Sequence, residues 1–124
     1  MDCKYWTKVY LTIKIIDMIL IADSGSTKTN WSLIENNRLV QSLGTRGMNP
    51  YFQSESEIEN ELSNILLPHL ENKPVEAVYF YGAGCTVEKI ELMQKIIGYC
   101  LSAELVEVNS DLLGAARCLC GCEA

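Results

Sequence analysis

A short polar turn near the start of the chain carries the groups that a nucleoside triphosphate needs. Its residues, between an apolar run and a stretch of alternating apolar and polar residues, are Asp23, Ser24, Gly25, Ser26, Thr27 and Lys28. This pattern predicts a strand, a tight turn and a second strand. Backbone amides, hydroxyls and a lysine in such a turn can bind phosphate oxygens, and a neighbouring carboxylate can hold a metal ion. The sequence therefore predicts a phosphate-binding hairpin.

This hairpin differs from a Walker-type phosphate loop. The pattern Gly-x-x-x-x-Gly-Lys is absent, and a predicted strand rather than a helix follows the turn. The alternative is a structural one, in which Asp23 only forms the turn and Lys28 is only a solvated charge. The rest of the chain has to decide between the two.

The predicted strands place the hairpin at one end of a sheet. We expect strands at about Met18 to Asp23, Thr29 to Glu35, Arg38 to Leu43, Val75 to Tyr81 and Leu105 to Val108. Asn36 and Asn37 form a two-residue hairpin turn, and Gly44 to Gln53 is a loop. The continuous apolar run from Val75 is typical of a buried parallel strand.

Three predicted helices complete the order. Ser54 and Glu57 form a capping box before a helix whose apolar stripe consists of Ile58, Leu62, Ile65 and Leu66. A second helix covers Val87 to Leu101, and a third begins at Leu112 and runs to the end. The order β-β-β-α-β-α-β-α predicts an α/β domain with a mixed five-stranded sheet and helices on its faces.

Composition excludes several classes of protein. The 124 residues carry a net charge of −6 without a basic cluster, which argues against a nucleic-acid surface. The apolar stretch before residue 18 is interrupted by Lys14, so neither a signal peptide nor a membrane span is expected. Because Met18 opens the first clear strand, residues 1–17 are expected to be an extension or an upstream start.

The six cysteines lack the spacing of a disulfide scaffold, so reduced thiols and a cytoplasmic location are expected. The tail Cys118, Cys120 and Cys122 could suggest a metal site. On a helix, however, Cys120 would point away from the other two, and zinc sites use longer spacers. We therefore expect no metal there.

Three segments resemble the family of N-acetylglucosamine kinases and BadF/BadG-type ATPases, within the superfamily of actin-like ATPases, sugar kinases and heat-shock ATPases. They are Ala22 to Thr29, Gly47-Met48-Asn49-Pro50, and Asn109 to Arg117. The resemblance implies an actin-like (ribonuclease H-like) fold for residues 18–124. Members of the family continue into a second phosphate loop and a second domain. The 124 residues are therefore expected to be an N-terminal fragment, inactive alone, of a protein that could form a homodimer.

The resemblance also implies a role for each motif residue. Gly25, Ser26, Thr27 and Lys28 would bind the phosphates of ATP, and Asp23 would hold Mg²⁺ through water. Asp111 would be the general base that accepts the proton of the attacking sugar hydroxyl, although as a helix N-cap it could be only structural.

The residues that would bind the sugar are expected on two loops. Asn49 matches a family position that binds sugar hydroxyls, and Tyr51 could form an apolar wall beside it. Gly82-Ala83-Gly84 permits close backbone approach, so Gly84 could form the floor of the substrate site; the same glycines suit any tight turn. The implied activity is transfer of a phosphoryl group from MgATP to an amino sugar. The alternatives are an ATPase that drives a partner protein, like the activators of 2-hydroxyacyl-CoA dehydratases, and a sugar sensor without turnover.

Overall fold

The computed structural model describes residues 18–71 and 73–110. Several predictions concern residues outside these ranges: the extension at residues 1–17, the general base Asp111, the third helix and the cysteine tail. Everything that follows concerns the described residues.

A five-stranded mixed sheet organises the described part of the chain. Its strands are β1 (Met18–Ser24), β2 (Lys28–Glu35), β3 (Arg38–Arg46), β4 (Ala77–Gly82) and β5 (Leu105–Ser110). The strand order is β3-β2-β1-β4-β5. Strand β2 is antiparallel to both neighbours, whereas β1, β4 and β5 run parallel. The predicted mixed α/β sheet is confirmed.

Two helical segments cover one face of this sheet. The first, α1, consists of an α-helix at Glu55–Asn60, a π-helix at Glu61–Leu66 and a final α turn at Leu67–His69; the second, α2, is Val87–Leu101. The alternate residues of β1, β2 and β4 that face the helices are buried with them in one core. The largest buried side chains, Trp31 and Phe80, lie there with ring centroids 6.0 Å apart. The sheet and helices together hold the strand ends that carry the candidate site.

Local sequence signals explain most of the element boundaries. Ser54 Oγ accepts from the Glu57 amide at 3.2 Å, and the Glu57 carboxylate accepts from the Ser54 amide at 3.1 Å, so the predicted capping box is present. Asn36 and Asn37 have φ of 53° and 62°, which is the left-handed backbone of a type I′ hairpin turn. Helix α2 has the predicted bounds.

Three predicted strand boundaries were wrong by two or more residues, and three others differ by one residue. Strand β3 continues to Arg46 rather than ending at Leu43, because Arg46 still pairs with Lys28, the first residue of β2. Trp31 Nε1 donates to Thr45 Oγ1 at 2.9 Å and so holds the added residues in place. Strand β4 begins at Ala77 instead of Val75, and β5 extends to Ser110.

The predicted apolar stripe of α1 was wrong at Ile65, which is 43% exposed. The buried residues recur every four positions, as Ile58, Leu62, Leu66 and Leu70. In a regular α-helix each such step would rotate the stripe by about 40°. The wider π turn, in which Leu67 N–H donates to the Leu62 carbonyl, rotates it back. Pro68, which has no N–H to donate, lies in the final α turn directly after the π-helix.

Candidate functional site

The turn between β1 and β2 is the segment in which the sequence predicts phosphate binding. Gly25, Ser26 and Thr27 are exposed, and Gly25 N–H donates to the Lys28 carbonyl at 2.8 Å, which closes the turn. Within the described residues the amides of Ser26 and Thr27 donate to no backbone carbonyl. Two backbone donors at an exposed turn are suited to phosphate oxygens.

Asp23 and Lys28 flank this turn on the sheet face that is opposite to the helices. Asp23 is exposed at the end of β1, where it pairs with Asn30 on β2 and Tyr81 on β4. The Lys28 side chain lies across β3, and a Cβ atom added to Gly44 would be 2.9 Å from Lys28 Cε. Because Gly44 pairs with Asn30, the lysine points along β3 away from the turn. Its side chain has to rotate before it can reach an anion at the turn.

Gly47 joins the loop after β3 to the turn between β1 and β2. Its amide donates to the Thr27 carbonyl at 3.0 Å. A Cβ atom at position 47 would be 2.6 Å from the Gly25 carbonyl oxygen and 2.9 Å from Ser26 backbone atoms. Since these neighbours are backbone and cannot move aside, only glycine fits. The sequence marked Gly47 as part of a motif but did not indicate this contact.

Buried hydroxyls form a second connection between the same two loops. Ser24 Oγ is 2.7 Å from Thr29 Oγ1 and accepts from the Met48 amide at 2.9 Å. Thr29 Oγ1 donates to the Arg46 carbonyl at 2.9 Å. Sequence reasoning assigned no role to Ser24 or Thr29. A signal was present, because both polar residues fall in phase with the buried positions of their strands.

The structure brings together Asn49 and Gly84, two of the residues predicted to bind the sugar. Gly84 has a φ of 78°, and a Cβ atom there would be 2.7 Å from Asn49 Cγ. Asn49 Oδ1 accepts from the Tyr51 amide at 2.9 Å, which fixes the orientation of the carboxamide. Asn49 Nδ2 donates to no residue in the described ranges.

Tyr51 connects this loop to the start of α2. Its hydroxyl is 2.9 Å from Thr86 Oγ1 and donates to the Glu88 carboxylate at 3.3 Å. Lys89 Nζ lies 5.4 Å from the centre of the Tyr51 ring. The tyrosine therefore anchors the loop through its hydroxyl, while the predicted contact of its ring with a sugar stays a prediction.

The carboxyl ends of the parallel strands lie beside these loops. Ser24 pairs with Gly82, and Gly82 pairs with Ser110, so β1, β4 and β5 end at one edge of the sheet. Open α/β sheets bind ligands at this edge. Asp111 follows Ser110 in the sequence but lies outside the described residues, so its side chain has no structural account here.

Two cysteines, Cys85 and Cys100, lie in the described part of the chain, and both are free thiols. Burial raises the pKa of Cys85 to about 11. Burial also raises the pKa of Cys100, with a smaller contribution from Glu59 and an opposing hydrogen bond from Ser63. Both thiols are therefore protonated at neutral pH. Among the described residues no cluster of three or more metal-ligating side chains occurs, and none of the helices could span a membrane.

Comparison with known proteins confirms the resemblance seen in the motifs. The chain is similar to a solved structure from Porphyromonas gingivalis named "Putative N-acetylglucosamine Kinase", with 42% sequence identity and a TM-score of 0.78. The match covers 84% of this chain and 38% of that protein, so the chain spans well under half the length of its neighbour. No protein-family model and no curated protein matches. The match supports the actin-like fold of sugar kinases for this domain.

Proposed function

We propose that this chain is the N-terminal nucleotide- and sugar-binding half of an ATP-dependent amino-sugar kinase, with N-acetylglucosamine or a similar sugar as substrate. The observation that carries the proposal is the direct connection between the phosphate hairpin and the loop that holds Asn49 over Gly84. A phosphoryl transfer enzyme needs its donor and acceptor sites adjacent. The similarity to the Porphyromonas gingivalis protein supports the same function.

The hairpin fits the phosphates of ATP. Ser26 and Thr27 present backbone amides at an exposed turn, and Gly25 has no side chain that would block a close approach. When bound, MgATP supplies the phosphoryl group and the metal that neutralises its charge. Asp23, exposed at the end of β1, would hold Mg²⁺ through water. The Lys28 ammonium group would contact the phosphates after its side chain rotates away from Gly44.

Asn49 and Gly84 fit a polyhydroxylated ligand. The Asn49 Oδ1 atom accepts from the Tyr51 amide, so the Nδ2 group is the end of the carboxamide that would donate to a sugar hydroxyl. Because Gly84 has no side chain, the Asn49 carboxamide can lie directly against its backbone. The Tyr51 ring would form the apolar wall of the sugar site.

Asp111 would accept the proton of the attacking hydroxyl. This role rests on its position in the sequence, one residue after β5 ends at the ligand-binding edge of the sheet. A carboxylate in hydrogen-bond reach of the hydroxyl is sufficient for a general base in such a transfer. The cytoplasmic location and the homodimer stay predictions.

A coupled assay of ADP release by the complete protein, with and without N-acetylglucosamine, tests the proposal. We expect ADP release only when the sugar is present, and we expect the 124-residue chain alone to be inactive. Release of ADP without sugar would instead support an ATPase that drives a partner. Sugar binding without any turnover would support a sensor.

A further inference from the structure

The buried hydroxyls at the base of the hairpin form a directed chain of hydrogen bonds. Thr29 Oγ1 has one proton, which it donates to the Arg46 carbonyl at 2.9 Å. Ser24 Oγ is also 3.4 Å from the Met48 carbonyl, a much longer contact, so the proton of Ser24 serves the 2.7 Å bond between the two hydroxyls. Ser24 Oγ in turn accepts from the Met48 amide at 2.9 Å. The chain runs from Met48 through Ser24 and Thr29 to Arg46.

This chain is inaccessible to water and joins the two candidate substrate loops. Ser24 and Thr29 are both 0% exposed, so neither hydroxyl can exchange its protein partner for solvent. Arg46 and Met48 flank Gly47, whose amide is bonded to the Thr27 carbonyl in the exposed turn. The segment 46–48 is thus held to the hairpin at three successive residues. Asn49, the candidate sugar ligand, is the next residue.

We propose that Ser24 is a positioning residue that couples nucleotide binding to sugar binding. The proposal rests on the proposed function, since it requires both ligands at their predicted loops. A phosphate that orders the turn also orders the Thr27 carbonyl, Gly47 and the segment that carries Asn49. Because the coupling between two binding sites is reciprocal, bound sugar orders the turn in the same way. Ser24 makes the two loops one rigid unit because a single buried atom contacts both.

The test is the dissociation constant of a non-hydrolysable ATP analogue for the complete protein, measured by calorimetry with and without saturating N-acetylglucosamine. For the unmodified protein we expect sugar to tighten nucleotide binding about fivefold or more. In Ser24→Ala this ratio is expected to fall to less than about twofold. Thr29→Val, which removes the next hydroxyl in the chain, is expected to lower the ratio as well, and Thr29→Ser, which keeps the hydroxyl, is expected to preserve it.

Ile97→Val serves as the control for lost stability, because Ile97 lies in the core on α2 and outside the hydroxyl chain. It is expected to keep the full ratio. Should Ser24→Ala fail to fold, Thr29→Val and Thr29→Ser decide the question alone. An unchanged ratio in folded Ser24→Ala or Thr29→Val would overturn the coupling role. If both ligands bind the unmodified protein independently, the coupling fails while the proposed function stands; if neither binds, both fail.

Discussion

The Asn49 carboxamide lies directly against the α-carbon of Gly84, so that a Cβ atom on Gly84 would be 2.7 Å from Asn49 Cγ. These residues are separated in the sequence by helix α1 and strand β4. Their contact brings the loop after β3 to the carboxyl end of β4. The contact makes the position of Asn49 dependent on Gly84.

Replacing Gly84 should therefore displace Asn49. In Gly84→Ala the new methyl group would overlap the carboxamide, and φ of 78° is unfavourable for alanine. We expect a loss of about 1–2 kcal/mol in the free energy of unfolding and a weaker affinity for the sugar. Denaturant unfolding and a sugar titration measure the two effects.

Gly98→Ala is the matched control, because Gly98 lies within α2 and its added Cβ atom would be at an ordinary 3.6 Å from Val106. It should stabilise the protein by about 0.5–1 kcal/mol and leave sugar affinity unchanged. Equal sugar affinity in both variants would show that Gly84 does not position Asn49.

Gly47 and Gly25 should respond differently to the same substitution. Gly47→Ala places a methyl group 2.6 Å from the Gly25 carbonyl oxygen, and we expect it to cost about 2–3 kcal/mol of stability. In Gly25→Ala the nearest atom is the Lys28 carbonyl oxygen at 3.7 Å, so the fold should be kept. If phosphate approaches Gly25 closely, Gly25→Ala should still weaken nucleotide binding about tenfold, or 1.4 kcal/mol.

Thermal unfolding and nucleotide titration of both variants separate these effects. A stable Gly25→Ala that binds nucleotide normally would argue that the phosphate does not lie against Gly25. A Gly47→Ala protein with unchanged stability would contradict the close contact between the two loops.

Substitutions of Tyr51 should separate its anchoring hydroxyl from its ring. Tyr51→Phe removes the contacts with Thr86 and Glu88 and, on an exposed surface, should cost about 0.5–1 kcal/mol of stability. If the ring is the apolar wall of the sugar site, KM for the sugar should stay unchanged in Tyr51→Phe. In Tyr51→Leu it should rise about 3- to 10-fold. Equal KM values in Tyr51→Leu and the unmodified enzyme would remove Tyr51 from the sugar site.

The buried thiol of Cys85 should make the protein less stable in alkali. Burial raises its pKa to about 11 from an ordinary value of 9.0. Between these values the unfolded chain loses the thiol proton while the folded chain keeps it, so stability decreases as the pH rises. The loss of stability at pH 11 would be about 2 kcal/mol.

Unfolding measured from pH 8 to pH 11 on the unmodified protein and on Cys85→Ala isolates this contribution. At pH 8 Cys85→Ala should be less stable than the unmodified protein, because it lacks the packing of the buried thiol. Its stability should fall less steeply as the pH rises. Parallel curves for the two proteins would mean that folding does not raise the pKa of Cys85. Thiol reagents should likewise react slowly with Cys85 at neutral pH.

Local sequence signals predicted much of the fold. The capping box at Ser54, the paired asparagines at Asn36 and Asn37, and the periodicity of α2 each depend on neighbours in the sequence. The exposure of Ile65 could not be predicted in this way. The prediction assumed regular α-helical periodicity. The π turn before Pro68 changes that periodicity and leaves Ile65 outside the buried stripe.

The candidate site was predictable as motifs but not as contacts. The residue types at Asn49 and Gly84 indicated ligand binding, whereas their direct contact depends on how the loop after β3 packs against the end of β4. Ser24 and Thr29 illustrate the same limit. Their phase on the strands marks them as buried, but the partners of their hydroxyls come from a loop about twenty residues away in the chain.

The most direct test of the central claim is a titration of isotope-labelled protein with MgATP, followed by amide NMR signals. The account predicts that the Ser26 and Thr27 amides shift most, because within the described residues their N–H groups donate to no carbonyl. Adenosine, which has no phosphate, should leave both signals in place. Shifts confined to other parts of the protein, with Ser26 and Thr27 unchanged at saturating MgATP, would contradict the phosphate-binding hairpin.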